Sequence, residues 1–160
     1  MKFEHLVEIN DVNNPLIAEI SREQLWRGLV IRAESPQLFM PYIDQCTITE
    51  RTEVSMQRRL HYGDLVVLDH VHLTHLQHVH YQVPAQNEIP SSSLRMSIEE
   101  PSTGSLFVRF TYDDGQSEVQ DAENGMVNEY RRSAYHQADI DTISVIRELA
   151  EAGRLDALPS

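Results

Sequence analysis

Alternation of apolar and polar positions runs through most of the chain. Between residues 2 and 10, Phe3, Val7 and Ile9 share one phase and Glu4 and Glu8 the other, which predicts a strand with one buried face. After Pro15 a short apolar turn of helical character is expected. Ser21 and Gln24 have the spacing of a capping box, and Leu25, Trp26, Leu29, Val30 and Ala33 then recur at helical intervals until Pro36 stops the helix. From about 42 to 112 the two-residue period returns. Met56, Leu60 and Tyr62 share a phase, as do Leu65, Val67, Val71 and Leu73, then Val79, Tyr81 and Val83, then Leu94, Met96 and Ile98, then Leu106, Val108, Phe110 and Tyr112. One apolar face per strand with short connections predicts an antiparallel sheet. The last element is a helix over about 123–152, with Val127, Tyr130, Ala134, Ala138, Val145 and Leu149 as its stripe, Ile143 and Ile146 widening it, and Gly153 as its stop. Such a stripe must be buried, and the sheet's apolar face is the only large partner.

The predicted class is therefore α+β: about seven strands in a curved antiparallel sheet, two short helices after the first strand, and one long C-terminal helix. That order resembles the helix-grip fold of the START/Bet v 1-like (SRPBCC) superfamily. The segments Lys2–Asp11, Gln24–Val30, Ala138–Ile143 and Ile146–Leu149 are similar to its AtaL-like branch, and the resemblance runs over essentially the whole chain. It implies a sheet wrapped around the last helix with a cavity for apolar small molecules between them. The superfamily holds carriers, polyketide cyclases and aromatase-like enzymes, so the resemblance leaves the activity open.

Composition narrows the classes. At 160 residues, 41% hydrophobic and 24% charged, one globular domain over 1–160 is expected, with a sizeable core. The formal net charge of −12 opposes nucleic-acid backbones and anionic membrane surfaces. No apolar run reaches a membrane span, the N-terminus has no secretory pattern, and a single cysteine fits a reducing cytoplasm. No phosphate loop, dinucleotide fingerprint or nucleophile elbow is present, so no cofactor is expected.

Three polar residues fall in the inward phase of their strands: His5, Arg58 and Asp69. A two-residue hairpin at Gly63-Asp64 makes Tyr62 face Leu65 and Arg58 face Asp69. A three-residue loop at Thr74, His75 and Leu76 would make Asp69 face Tyr81, giving a polar row Arg58–Asp69–Tyr81 across three strands. As a functional unit, the row anchors a ligand's carboxylate or enolate oxygen inside an apolar cavity; the alternative is a self-satisfied ion pair or a guanidinium reaching out of the cavity mouth. Around it, Trp26, Met96, Phe110, Tyr112, Tyr130 and His5 are the expected ligand-lining residues, with Tyr130 and Tyr135 as half core and half cavity wall. Asp139 and Asp141 are expected on the solvated side of the helix or in its local contacts.

His70, His72, His78 and His80 share the outward phase, and the same register pairs His70 with His80 and His72 with His78. Imidazoles so placed can take zinc, nickel or copper, but no carboxylate or thiolate in phase completes a site, so a solvated face and no metal site is the expectation. Cys46 reads as a small buried side chain.

The expected function is binding of an apolar, aromatic or polyketide-like molecule, by a monomer or homodimer, with no nucleic-acid partner. The alternative is a cyclase, aromatase or dehydratase in which Arg58 stabilises an enolate and Asp69 or His5 moves protons. A third possibility is an interaction module using the outer histidine face.

Overall fold

A computed structural model describes residues 1–156. Its elements follow the chain as β1 (Lys2–Glu8), α1 (Arg22–Glu34), a single 3-10 turn (Pro36–Leu38), β2 (Gln45–Arg51), β3 (Ser55–Tyr62), β4 (Leu65–Thr74), β5 (His78–Val83), β6 (Ser92–Ser102), β7 (Ser105–Asp113), α2 (Glu118–Glu123) and α3 (Gly125–Glu151). The seven strands form one antiparallel sheet in the order β1-β7-β6-β5-β4-β3-β2, so the first strand closes beside the last. The curved sheet, with helices on its concave side and a long C-terminal helix across it, is the helix-grip arrangement.

Local chemistry sets the boundaries. Ser21 caps α1 with the full reciprocal pair to Gln24, and α1 ends one residue before Ser35-Pro36. Gly63, with φ +61°, makes the tight β3–β4 turn, and Tyr62 pairs with Leu65 as the turn predicts. Gly153, with φ +74°, closes α3: its N–H bonds to Ala150 O at 3.0 Å and that of Arg154 to Leu149 O at 2.9 Å, the double bond of a Schellman motif.

The apolar core lies between sheet, α1 and the second half of α3. Leu25, Leu29, Val71, Val79, Met96, Val108, Phe110 and Ile146 are fully buried within it. The two helices cross where α1 carries Gly28: a Cβ there would lie 2.8 Å from Ile146 Cγ2, so only glycine admits this approach.

Four expectations need correction. The segment after Pro15 is an irregular turn, and the second short helical element is the 3-10 turn begun by Pro36. The terminal helix breaks at Asn124 into α2 and α3, Ser117 capping the first piece through Gln120. The stripe on α3 is also different. Val127 and Tyr130 stand 59% and 77% exposed, and Ala134 and Ala138 are exposed too, whereas the inward face carries Asn128, Asp139, Thr142, Ile143, Ile146 and Leu149. That face is polar in its first half because it meets polar groups there, and an apolar search cannot register it. Finally, the β4–β5 loop is His75-Leu76-Gln77, not Thr74-His75-Leu76. Thr74 pairs with His78, its hydroxyl 3.1 Å from the imidazole, and Leu76 takes φ +61° and packs against the core. Tyr81 therefore faces Val71 instead of Asp69. His72 faces His80, His70 faces Gln82 and His78 faces Thr74, so neither predicted histidine pair, His70 with His80 or His72 with His78, forms.

Candidate functional site

A pocket of about 310 Å³ opens at one end of the sheet, where β3 and β7 finish and β4 and β6 begin. Its wall takes Leu60 and Tyr62 from β3, Val67 and Asp69 from β4, Tyr81 and Val83 from β5, Leu94 from β6 and Tyr112 from β7. Arg32 enters from α1, Met40 from the loop after the 3-10 turn, and Tyr135 from α3.

Arg58 and Asp69 oppose each other on β3 and β4, as the hairpin geometry predicts. They are 4% and 6% exposed. The guanidinium makes a two-pronged pair, Nε to Oδ1 at 2.9 Å and Nη2 to Oδ2 at 2.5 Å, while Nη1 donates to Ala33 O at 2.8 Å. Burial alone would lower Arg58, but the hydrogen bonds and charge of Asp69 hold it above its ordinary value. Both partners are largely satisfied by each other. Tyr81, though two residues out of the expected register, still reaches the pair: the Arg58 Cζ lies 5.0 Å from its ring centroid and the Arg32 Cζ 5.2 Å.

A second polar cluster sits beside the first. Asp139, on α3, is 1% exposed, so of the two expected placements the solvated one does not hold for it and its contacts reach across to β1 and β7; Asp141 is exposed and accepts from Gln137. The Tyr112 hydroxyl donates to Asp139 Oδ1, and Asp139 Oδ2 lies 3.2 Å from His5 Nδ1. Burial pushes the Asp139 carboxyl up to about 7, against the opposing pull of the Tyr112 hydrogen bond and the charges of Arg32 and His136. Burial also lowers His5, and burial, with the charge of Asp139 and the hydrogen bond to it, pushes the Tyr112 phenol well above its ordinary value. The rings stack, Tyr112 on Tyr135 at 4.1 Å and His5 on His136 at 3.8 Å. Burial therefore favours the protonated Asp139 carboxyl, and Tyr112 links the His5–Asp139 pair to the pocket wall.

The remaining expected residues fall elsewhere. Met96 and Phe110 are fully buried in the core and do not line the pocket. Trp26 packs in the core near the far end of the sheet, edge-on to His75 at 5.8 Å. Tyr130 points to solvent because α3 is rotated relative to the predicted stripe. Cys46 is half-buried, and burial raises its thiol. Burial and the charge of Arg95 lower His78 and His80 on the outer face. Among the described residues no group of three or more His, Cys, Asp or Glu is arranged to hold a metal ion.

Arg32 and Asp139 are the residues the sequence reading missed. Arg32 follows Leu25 by seven residues and Leu29 by three, and Asp139 precedes Ile146 by seven, so each lies in the inward phase of its helix. Asking which polar residues occupy helix core positions, as was asked of the strands, finds both.

No helix is long and apolar enough to cross a membrane among the described residues. No curated protein matches the sequence. Among solved structures, the Zhui aromatase/cyclase from Streptomyces sp. R1128 is similar over 96% of this chain and 94% of its own, with TM-score 0.61 and 14% identity. Ara h 8.0201 matches with TM-score 0.57 and 14% identity over 92% of this chain and 98% of its own. The di-domain ARO/CYC BexL from the BE-7585A biosynthetic pathway matches with TM-score 0.62 and 12% identity, 99% of this chain covering 51% of that one. At these identities the likeness is one of fold. The model of the family called acetylaranotin biosynthesis cluster protein L, AtaL, matches residues 7–153, and the chain belongs to that family.

Proposed function

We propose that the protein, acting as one domain in the cytoplasm, holds an apolar, aromatic or polyketide-like small molecule in the pocket bounded by the sheet, α1 and α3. The observation that carries this reading is the make-up of the pocket wall. Met40, Leu60, Val67, Val83 and Leu94 offer apolar surface, Tyr62, Tyr81, Tyr112 and Tyr135 offer ring faces, and a few buried polar groups converge among them. A volume of about 310 Å³ is at the small end of the range for drug-sized ligands. Burial of the ligand's apolar area supplies the driving force, on the order of 25 cal/mol per Å² before ordering costs. The fold shared with an aromatase/cyclase supports the ligand class without fixing it.

Native mass spectrometry of the chain purified from its own host tests this. The expected result is a co-purifying small molecule that leaves when Leu94→Trp fills the pocket. A molecule retained by that variant at full occupancy places binding elsewhere.

One observation favours a catalytic variant of this reading. A carboxyl held near neutrality by burial, paired with His5 and reaching the pocket through Tyr112, is suited to general acid–base work. Asp139, instead of Asp69, is then the proton carrier, since Asp69 is engaged on both oxygens by Arg58. An enzyme would convert the molecule it binds, and Asp139→Asn would stop conversion while sparing affinity; a carrier would return it unchanged.

A further inference from the structure

Arg32 is 8% exposed and lines the pocket, yet its only hydrogen bond among the described residues is from Nε to Thr142 Oγ1 at 3.4 Å, a long contact. The other charges on the pocket wall are accounted for. Asp69 is bound on both oxygens by Arg58. Asp114 pairs with Arg131 at 2.7 Å and with the terminal ammonium, and Asp113 accepts from Gly115 N at 2.9 Å. Asp139, the buried carboxyl whose value the Arg32 charge pulls down, accepts from the Tyr112 hydroxyl and shares a hydrogen bond with His5. No ion pair within 4.0 Å involves Arg32 among the described residues. A guanidinium stays charged inside proteins, and a buried charge without a counter-ion is costly, so the group is poised for one from outside.

A second, independent observation lies beside it. Tyr81 is 5% exposed, its ring lines the same pocket, and its hydroxyl has no hydrogen-bond partner. Its ring carries Arg32 on one contact and Arg58 on another. The wall thus holds an unpaired cation beside a buried, unpartnered hydroxyl among aromatic faces.

We propose that Arg32 is the anion-recognising group of this pocket, and that the ligand is a planar aromatic molecule bearing a carboxylate or a comparably charged oxygen. The oxygens accept from the Nη groups of Arg32, and the ring packs among Tyr81, Tyr112 and Tyr135. Arg58 holds Asp69 and the α1 backbone at Ala33, and so shapes the wall without meeting the ligand's charge. This rests on the pocket being the ligand site proposed above.

The test uses two probes of nearly equal shape, 2-naphthoate and neutral 2-naphthamide, titrated calorimetrically into the full chain. Wild type should bind naphthoate at least tenfold more tightly. Arg32→Gln, which keeps a hydrogen bond to Thr142 within reach, should remove that preference and leave naphthamide within threefold of wild type. Arg32→Lys should restore most of it. A preference that survives Arg32→Gln overturns the assignment and gives the role to another cation. Equal binding of the two probes by wild type overturns the anionic class while leaving the pocket reading standing. Binding of neither probe, with no loss on Leu94→Trp of any other molecule bound, overturns the pocket reading itself. Should Arg32→Gln fail to fold, the wild-type pair and Arg32→Met decide: no naphthoate preference in wild type, or a preference that survives Arg32→Met, counts against it.

Discussion

Replacing Asp139 by asparagine should make the protein more stable, and by an amount that grows with pH. The folded carboxyl titrates at about 7 because burial penalises its charge, against an ordinary value of 3.8. Between those two values the folded chain binds more protons than the unfolded one, so wild-type stability falls as pH rises through that window. Each pKa unit is worth about 1.36 kcal/mol, so the part of the window between pH 5 and 7 represents a loss of roughly 3 kcal/mol. Asparagine keeps an oxygen for the Tyr112 hydroxyl and an amide for His5, and has no charge to bury. The groups facing Asp139 are His5 on β1, Tyr112 on β7, Arg32 on α1 and His136 on its own helix. His5, lowered by burial and in contact with position 139, loses stability as pH falls, so the comparison is made with His5→Gln in both backgrounds to remove its titration. Urea unfolding of both proteins at pH 5 and pH 8 measures the effect. The advantage of Asp139→Asn should widen by roughly 3 kcal/mol between them, or about 6–12 °C in relative Tm. An advantage that stays constant with pH would mean the carboxyl is already ionised at pH 5, and the case for a buried proton at this position fails.

Other outcomes follow from the packing. Asp69→Asn leaves the buried Arg58 guanidinium without its counter-charge and should cost about 3–5 kcal/mol in chemical unfolding, while Arg58→Met combined with Asp69→Leu should recover most of that loss. Gly28→Ala drives a Cβ to 2.8 Å from Ile146 Cγ2 and should cost about 1–3 kcal/mol; in an Ile146→Ala background that penalty should vanish, and its persistence would exclude the contact as its cause. Ile146→Ala alone should cost about 2–5 kcal/mol, against under about 0.5 kcal/mol for Val127→Ala, which separates the buried face of α3 from the one apolar periodicity suggests.

The sheet was readable because each of its strands buries one face and a period of two leaves little choice of phase. The hairpin at Gly63-Asp64 even placed Arg58 opposite Asp69, since a two-residue turn fixes register. The next hairpin did not yield, because nothing local announces that Leu76 adopts a left-handed backbone; the resulting shift of two residues kept every face correct and moved every partner. The terminal helix misled for a different reason. Its first half turns Asn128 and Asp139 inward and leaves Val127 and Tyr130 in water, the reverse of what hydrophobicity alone predicts. Inward polar groups that find partners inside break the apolar pattern, so the periodicity fades over the stretch that carries them.

The two halves of α3 are fastened differently. From Thr142 onward Ile143, Ile146 and Leu149 are sunk into the hydrophobic interior, while before Asp139 the attachments are hydrogen bonds, Asn128 to Asp121 and Arg131 to Asp114, and two ring stacks near the pocket, Tyr135 on Tyr112 and His136 on His5. Water can substitute for the latter at small cost but not for the former. Amide protons of residues 126–137 should therefore exchange with deuterium through local excursions well below the global unfolding free energy, while those of 143–149 wait for the whole molecule to open. The rod thus has one end that can lift and another that stays fixed to its foundations.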